Sequence, residues 1–409
     1  MQLYKLSDWL LDAAFLLYVL ASVVFIVAMT GKRWSGRDPK QHEARYGRIG
    51  YWMTVVGCAA QTGYVITRWI AGGHSPTSNM FEFMAFFDYC IILAYLILYR
   101  IYKLPVIGAF VLPLGVIMLA YSYVFPKEIT PLIPSLQSYW LYIHVTTAAL
   151  GEGILAVGFA AGLMYLIMTV PQNVPNKSAR WLELVLAVVL MLIGFIGMDS
   201  IYARLDQQTV FEVTRPAPGA QGGEVKTEVA YTLPAIVAPA DSKLVKEGPI
   251  TPLFEAPRWM EGKDAARKLN TMIWSVLSGL VLYAVLRLLL RKRLAAAIQP
   301  MLADIKPELV DEISYRAISI GYPVFTLGAL IFAMIWADQA WGRFWGWDPK
   351  EVWALIVWLF YSAYLHLRLS RGWIGAKSAW MSVIGFVMIL ITLVVVNLVI
   401  AGLHSYAGV

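Results

Sequence analysis

The residues best suited to chemistry sit in one aromatic segment and a few histidines. WGRFWGWDPKE, residues 341–351, places Trp341, Trp345 and Trp347 within seven residues, with Phe344 among them and Trp336, Trp353 and Trp358 flanking. Gly342 and Gly346 would let the backbone lie close to a flat surface. An interfacial aromatic belt is the bland reading, but a belt distributes Trp singly over many helix ends. A glycine-punctuated cluster in one loop is better explained by stacking against a large planar apolar ligand. Asp348-Pro349-Lys350-Glu351 has the form of a helix start, with Asp at N-cap, Pro at N1 and Glu at N3. It would launch a helix and hold the tryptophan loop at a fixed angle to it.

The chain has five histidines. His144, near the start of one apolar run, and His404, just beyond the last, fall at the depth of the tryptophan loop. Two neutral imidazoles from separate helices can approach a planar metal macrocycle from opposite faces. His366 follows Pro349 by 17 residues on the helix that the loop starts, about 25 Å further along it. That spacing predicts an inner and an outer ligand position joined by one helix. His366 has no second histidine at its depth, so it is structural, has a non-His co-ligand, or meets a mate on another subunit. His74, in GGHSPTSNMFEF, is read as shaping its loop, with Ser78 or Asn79 capping the next helix. His42 is expected to be solvated in a basic loop. Glu152 and Asp88 lie inside apolar runs and are expected to pair internally.

These residues must be positioned by membrane-spanning elements. Of 409 residues, 59% are hydrophobic and 14% charged, with a mean hydropathy of +0.64. Soluble proteins carry about 45–50% apolar and about 25% charged residues. This composition excludes a soluble enzyme, a disordered chain and a nucleic-acid-binding domain. It predicts an all-α, polytopic transmembrane helical bundle. Ten apolar runs are candidate spans: 10–29, 49–71, 81–99, 104–125, 140–170, 181–199, 271–290, 317–337, 352–369 and 377–401. Lys and Arg crowd alternate connections: Lys32 to Arg48, Arg100 and Lys103, Lys177 and Arg180, Arg287 to Arg316, and Arg368 to Lys377. The short loops opposite hold Lys127, Arg343 and Lys350, with Arg68 at a span end. By the positive-inside rule both termini and the tryptophan loop are extracytoplasmic, and the net charge of +7 reports cytoplasmic loops rather than an anionic partner.

The chain divides into N-terminal helices, 1–170; two further spans with an extracytoplasmic insertion, 171–310; and a C-terminal region, 311–409, that carries the tryptophan loop. The insertion, 200–270, is rich in Pro, Gly and Ala, holds no His or Cys, and contains one expected strand around Glu228–Leu233. Residues 291–316 read as an amphipathic surface helix. Cys58 and Cys90 lie in apolar runs outside any CxxC or CxxCH motif, which argues against a thioredoxin-like role or a covalently held haem. The first apolar run lacks a basic leader and reads as a retained span rather than a cleaved signal.

At this point the residues resemble a known family. WGRFWGWDPKE is similar to the tryptophan-rich "WWD" signature of haem-handling proteins. GHSPTSNMFE (73–82), WLYIHV (140–145), the stretch 317–369 and the terminal GLHSY (402–406) resemble the CcsA/ResC family of cytochrome c-type biogenesis proteins, the system II machinery. The resemblance covers the chain apart from roughly 171–310. It implies that His144 and His404 are the external pair of axial haem ligands, flanking a platform of Trp341, Trp345, Trp347 and Asp348. It also implies that His366 belongs to a transmembrane haem site whose opposing histidine comes from a CcsB/ResB-like membrane protein, and that the chain is the separate form of its subunit. Two spans and the 200–270 insertion are additional to the shortest members.

The expected function is that of a membrane subunit of the cytochrome c biogenesis complex, in the bacterial plasma membrane or a thylakoid. It would carry haem b inward to outward and present it to apocytochrome c, whose CxxCH thiols form thioethers with the haem vinyl groups. The chain's share is positioning within a synthase complex; no side chain reads as a general acid or base. Alternatives are a haem exporter that hands haem to a chaperone, a b-type electron-transfer protein, and a transporter of another planar substrate. Lipid is the surrounding medium, and no nucleic-acid contact is expected.

Overall fold

Backbone amides in a lipid core must be satisfied within their own segment, which makes long apolar helices the solution for a chain this hydrophobic. The computed structural model describes residues 2–30, 38–129, 137–205, 207–216, 224–257 and 265–396. The helices are α1 (Gln2–Thr30), α2 (Pro39–Gly72), α3 (Met80–Tyr102), α4 (Pro105–Ser122), α5 (Tyr139–Thr169), α6 (Lys177–Leu205), α7 (Ala265–Leu290), α8 (Leu294–Ile298), α9 (Pro307–Phe325), α10 (Ala333–Trp341), α11 (Pro349–Arg371) and α12 (Ala376–Leu390). A π-helical segment, Thr326–Phe332, joins α9 to α10, and a second, Ile391–Val396, continues α12. Among the described residues, nine helical stretches are long and apolar enough to cross a membrane, the longest being Pro307–Trp341. The chain is a multi-pass helical membrane protein.

The run 49–71 was the one expected span that falls short by composition, although α2 carries it through 34 residues of helix. Its polar residues face protein. Gln61 accepts from the Tyr18 hydroxyl at 2.7 Å and donates to the Ala85 carbonyl and the Asp88 carboxylate, each at 3.0 Å. Arg68, 1% exposed, donates through Nε to Glu82 at 2.8 Å and lies over the rings of Tyr4 and Phe81. Expected as a solvated loop residue, His42 is instead buried, and its Nε2 donates to the Val27 carbonyl at 3.0 Å. The reason is that α2 begins at Pro39, so His42 lies in its first turn rather than in a loop.

Residues 291–316 do not form one surface helix. Pro300 and Pro307 divide them into α8, a 3₁₀ turn (Gln299–Leu302) and the start of α9, since proline interrupts a helix interior but is accepted at its first turn.

Two compact units divide the chain: residues 1–176 with 296–407, and residues 177–295. The second holds α6, α7 and the insertion. That insertion folds as β-structure, adding four strands to the one expected. Strands β1 (Thr209–Pro216), β2 (Glu224–Tyr231) and β4 (Ser242–Lys246) form an antiparallel sheet in the order β2-β1-β4. Strands β3 (Val237–Ala238) and β5 (Phe254–Glu255) pair in parallel. Phe211, Val213, Val229 and Tyr231 pack on one face of the larger sheet, as alternation along a strand requires. Asn270 and Trp274 of α7 tie this insertion down by hydrogen bonds to residues 234–237.

Candidate functional site

In the first unit, α5 packs along α9 and the first π segment. Close approach is possible because Gly328 has no side chain: a Cβ there would run into the backbone of Thr147 and Ala148. In the wider π turn, the Gly328 carbonyl accepts from the Ala333 amide five residues on. Its second lone pair accepts from His144 Nδ1 at 2.9 Å. A carbonyl can only accept, so Nδ1 carries the proton, and in the neutral tautomer the ring lone pair is on Nε2. This is the arrangement by which proteins orient metal-binding imidazoles.

The imidazole lies 5.8 Å from the Trp336 ring and 11° from parallel to it. Trp336, 2% exposed, meets Trp341 edge-on at 6.3 Å. Beside them is a cavity of about 150 Å³ lined by His144, Ala148, Glu152, Trp336, Phe344, Trp345 and Lys350, with Phe83 of α3 and Thr392 and Leu393 of the second π segment. The lining is mostly apolar and aromatic, with a few polar groups converging, as small-molecule sites are.

The tryptophan loop is held by its own helix start. Gly342 ends α10 in the left-handed conformation, φ 66°. Asp348 and Glu351 form the expected capping box on α11. Glu351 does more than cap. Its Oε2 accepts from the Gly346 amide at 2.7 Å and the Asp348 amide at 3.2 Å, on either side of Trp347. That clamp holds Trp347 at φ 57°, which is unfavourable for a bulky residue, and leaves the residue 70% exposed. Trp345 and Trp347 meet edge-on at 6.1 Å.

The three tryptophans singled out from the sequence therefore play separate parts. Trp345 lines the cavity beside His144, Trp341 abuts Trp336, and Trp347 projects outward. The ring stacked on His144 belongs to Trp336, which sequence spacing marked only as a flanking residue. Trp358 is a strut, donating from Nε1 to Thr326 Oγ1 at 3.0 Å. His404 lies outside the described residues. His366 is exposed on α11, about 24 Å along the axis from Lys350. Two residues later Arg368 forks onto both oxygens of Asp311 at 2.8 and 2.9 Å, which fixes that end of α11 against α9. His74 donates through Nδ1 to the Ser75 carbonyl at 3.0 Å, in keeping with a loop-shaping role, and Asn79 caps α3. Gly328, Phe83 and the cavity position of Glu152 carried no signal in spacing, because each acts through a contact between distant segments.

Residues 77–200 and 270–404 match the family model of the cytochrome C assembly protein. The cytochrome c biogenesis protein CcsA of Gloeobacter violaceus is 29% identical over 409 residues, covering 99% of this chain and 97% of its own length. That of Nostoc punctiforme is 29% identical over 414 residues, with 99% of each chain covered. That of Gloeothece citriformis is 30% identical over 343 residues, covering 83% of this chain and 81% of its own. The matched segments take in more than half of the chain, including α5 and the helices that bear the tryptophan loop, and the chain belongs to the cytochrome C assembly protein family.

Proposed function

We propose that this protein is the haem-presenting membrane subunit of a cytochrome c biogenesis complex. The observation that carries the reading is His144: its Nδ1 is committed to the Gly328 carbonyl, and its ring stacks on Trp336 at the wall of an aromatic cavity. That donor suits iron of a planar macrocycle, and the lining suits the ring. In this reading His404 is the second axial ligand, and Trp341, Trp345, Trp347 and Asp348 make or hold the platform. About 150 Å³ is below the roughly 300–1,000 Å³ of drug-sized ligand sites, so haem b would enter edge-first and stay partly outside, against the exposed Phe344 and Trp347.

His366 would belong to the inner haem site. It shares an exposed face of α11 with Leu359 and Ala363, a surface suited to a helix of a CcsB/ResB-like partner bearing the opposing histidine. The termini and the tryptophan loop would face the extracytoplasmic side of a plasma or thylakoid membrane, following the basic-loop bias. At the outer site each CxxCH thiol of apocytochrome c adds across a haem vinyl group. A C–S bond forms at the carbon next to the ring, the S–H proton ends on the terminal carbon, and no net oxidation occurs. The chain contributes orientation, which converts an encounter between two molecules into a reaction of fixed geometry.

The test is to express this chain with its partner and a CxxCH apocytochrome in a host lacking its own pathway, and to stain for covalent haem. His144→Ala and His404→Ala should each abolish staining, and added imidazole should restore part of it. Full staining by both variants without imidazole would refute the ligand assignment.

A further inference from the structure

Two opposite charges on the cavity wall have no part in the reading above. Glu152 lies two turns beyond His144 on α5, about 12 Å along the axis. His144, Ala148 and Glu152 recur every four residues, so they share one helix face, and all three line the cavity. Glu152 is 8% exposed. Lys350, from the first turn of α11, lines the same cavity, and its charge interacts with that of Asp348, two residues back, and with that of Glu152. The third charged residue in the lining, Glu351, has its Oε2 engaged by the Gly346 and Asp348 amides. Among the described lining residues, Lys350 is the one lysine or arginine, and Glu152 is a carboxylate of the same wall whose charge acts on it.

Opposite charges buried near one another add little stability over apolar residues of similar volume, because desolvation offsets the attraction. Placed on a cavity wall they have another use. A lysine is a compact charge on a flexible stem and can exchange one carboxylate for another without the planar fit an arginine requires. We propose that Lys350 recognises a carboxylate on the edge of the planar ligand, and that Glu152 is an internal negative charge with which that carboxylate competes. The proposal rests on the haem reading. Iron protoporphyrin carries its two propionates on one edge and its two vinyl groups away from them. Holding a propionate at the Lys350–Glu152 end leaves the vinyl groups toward the Phe344–Trp347 loop, where thiols arrive. Lys350 then selects which edge of the ring is offered to the apocytochrome.

The full chain is titrated in detergent with iron protoporphyrin IX and with its dimethyl ester, following the Soret band. Wild type should bind the free acid about tenfold or more tightly than the ester, the worth of a charge-assisted hydrogen bond. Lys350→Gln should bind both within about twofold, Lys350→Arg should keep the preference, and Glu152→Gln should widen it by removing one competing negative charge. An unchanged preference in Lys350→Gln, or a narrowed one in Glu152→Gln, overturns the carboxylate assignment while leaving haem binding intact. Wild type that binds neither porphyrin overturns the haem reading and this inference with it.

Discussion

Replacing Gly328 by Ala should disable His144 without touching it. The added methyl would meet the Ala148 amide nitrogen, with Ala148 Cα and the Thr147 carbonyl carbon at 2.6 Å. All three are backbone atoms, so no rotamer change relieves them. Carbon–carbon contact is comfortable at about 3.5–4.0 Å, so α5 and the first π segment must separate by about 1 Å. The His144–Gly328 hydrogen bond, 2.9 Å in length, would then stretch to about 3.9 Å, beyond hydrogen-bonding range. Losing the partner that orients a metal-binding imidazole typically costs about 10–100-fold in metal affinity. Overpacking adds about 1–3 kcal/mol of destabilisation. The assay is Soret titration of the purified Gly328→Ala protein with haem, beside thermal unfolding to separate loss of the site from loss of the fold. A protein that unfolds earlier yet binds haem within twofold of wild type would refute the proposed role of the Gly328 carbonyl.

Trp347→Gly should separate stability from function. Relieving a left-handed tryptophan, worth about 1–2 kcal/mol, against glycine's entropy cost of about 0.5–1 kcal/mol should raise the unfolding temperature slightly, while covalent haem attachment falls. Unimpaired attachment would remove Trp347 from the platform. Arg68→Met removes the paired cation of the buried Glu82 carboxylate, leaving it the hydrogen bonds from Ser78, and should cost about 3–5 kcal/mol. Thermal unfolding in detergent should show Arg68→Met with Glu82→Leu recovering part of that loss, and purely additive effects would mean the pair is not coupled.

Much of the helical layout was legible because the constraint behind it is local. A run of about 20 apolar residues has few options in lipid, and an Asp-Pro-Lys-Glu start caps its own helix wherever it is placed. The exceptions arise from partners on other segments. Polar residues lowered the apolarity of α2 without ejecting it from the bundle, since Gln61 and Arg68 found partners on α1 and α3. Four of the five strands of the insertion carry no clear sequence signal, because short strands gain their stability from cross-strand partners, and periodicity in one segment does not report those.

The sequence alone determined that this is a multi-pass helical membrane protein, that an aromatic loop precedes a capped helix, and that His144 and His366 merit attention. Tertiary structure decided the rest. It brought Gly328, 184 residues away, to the Nδ1 of His144, placed Trp336 rather than the loop tryptophans against the imidazole, and set Lys350 and Glu152 on the wall of one cavity. Helix identity follows from each segment's transfer into lipid. The tautomer of a histidine, the ring that covers it and the charge that faces it depend on which helices can approach closely, and a glycine in a π turn settled that for α5.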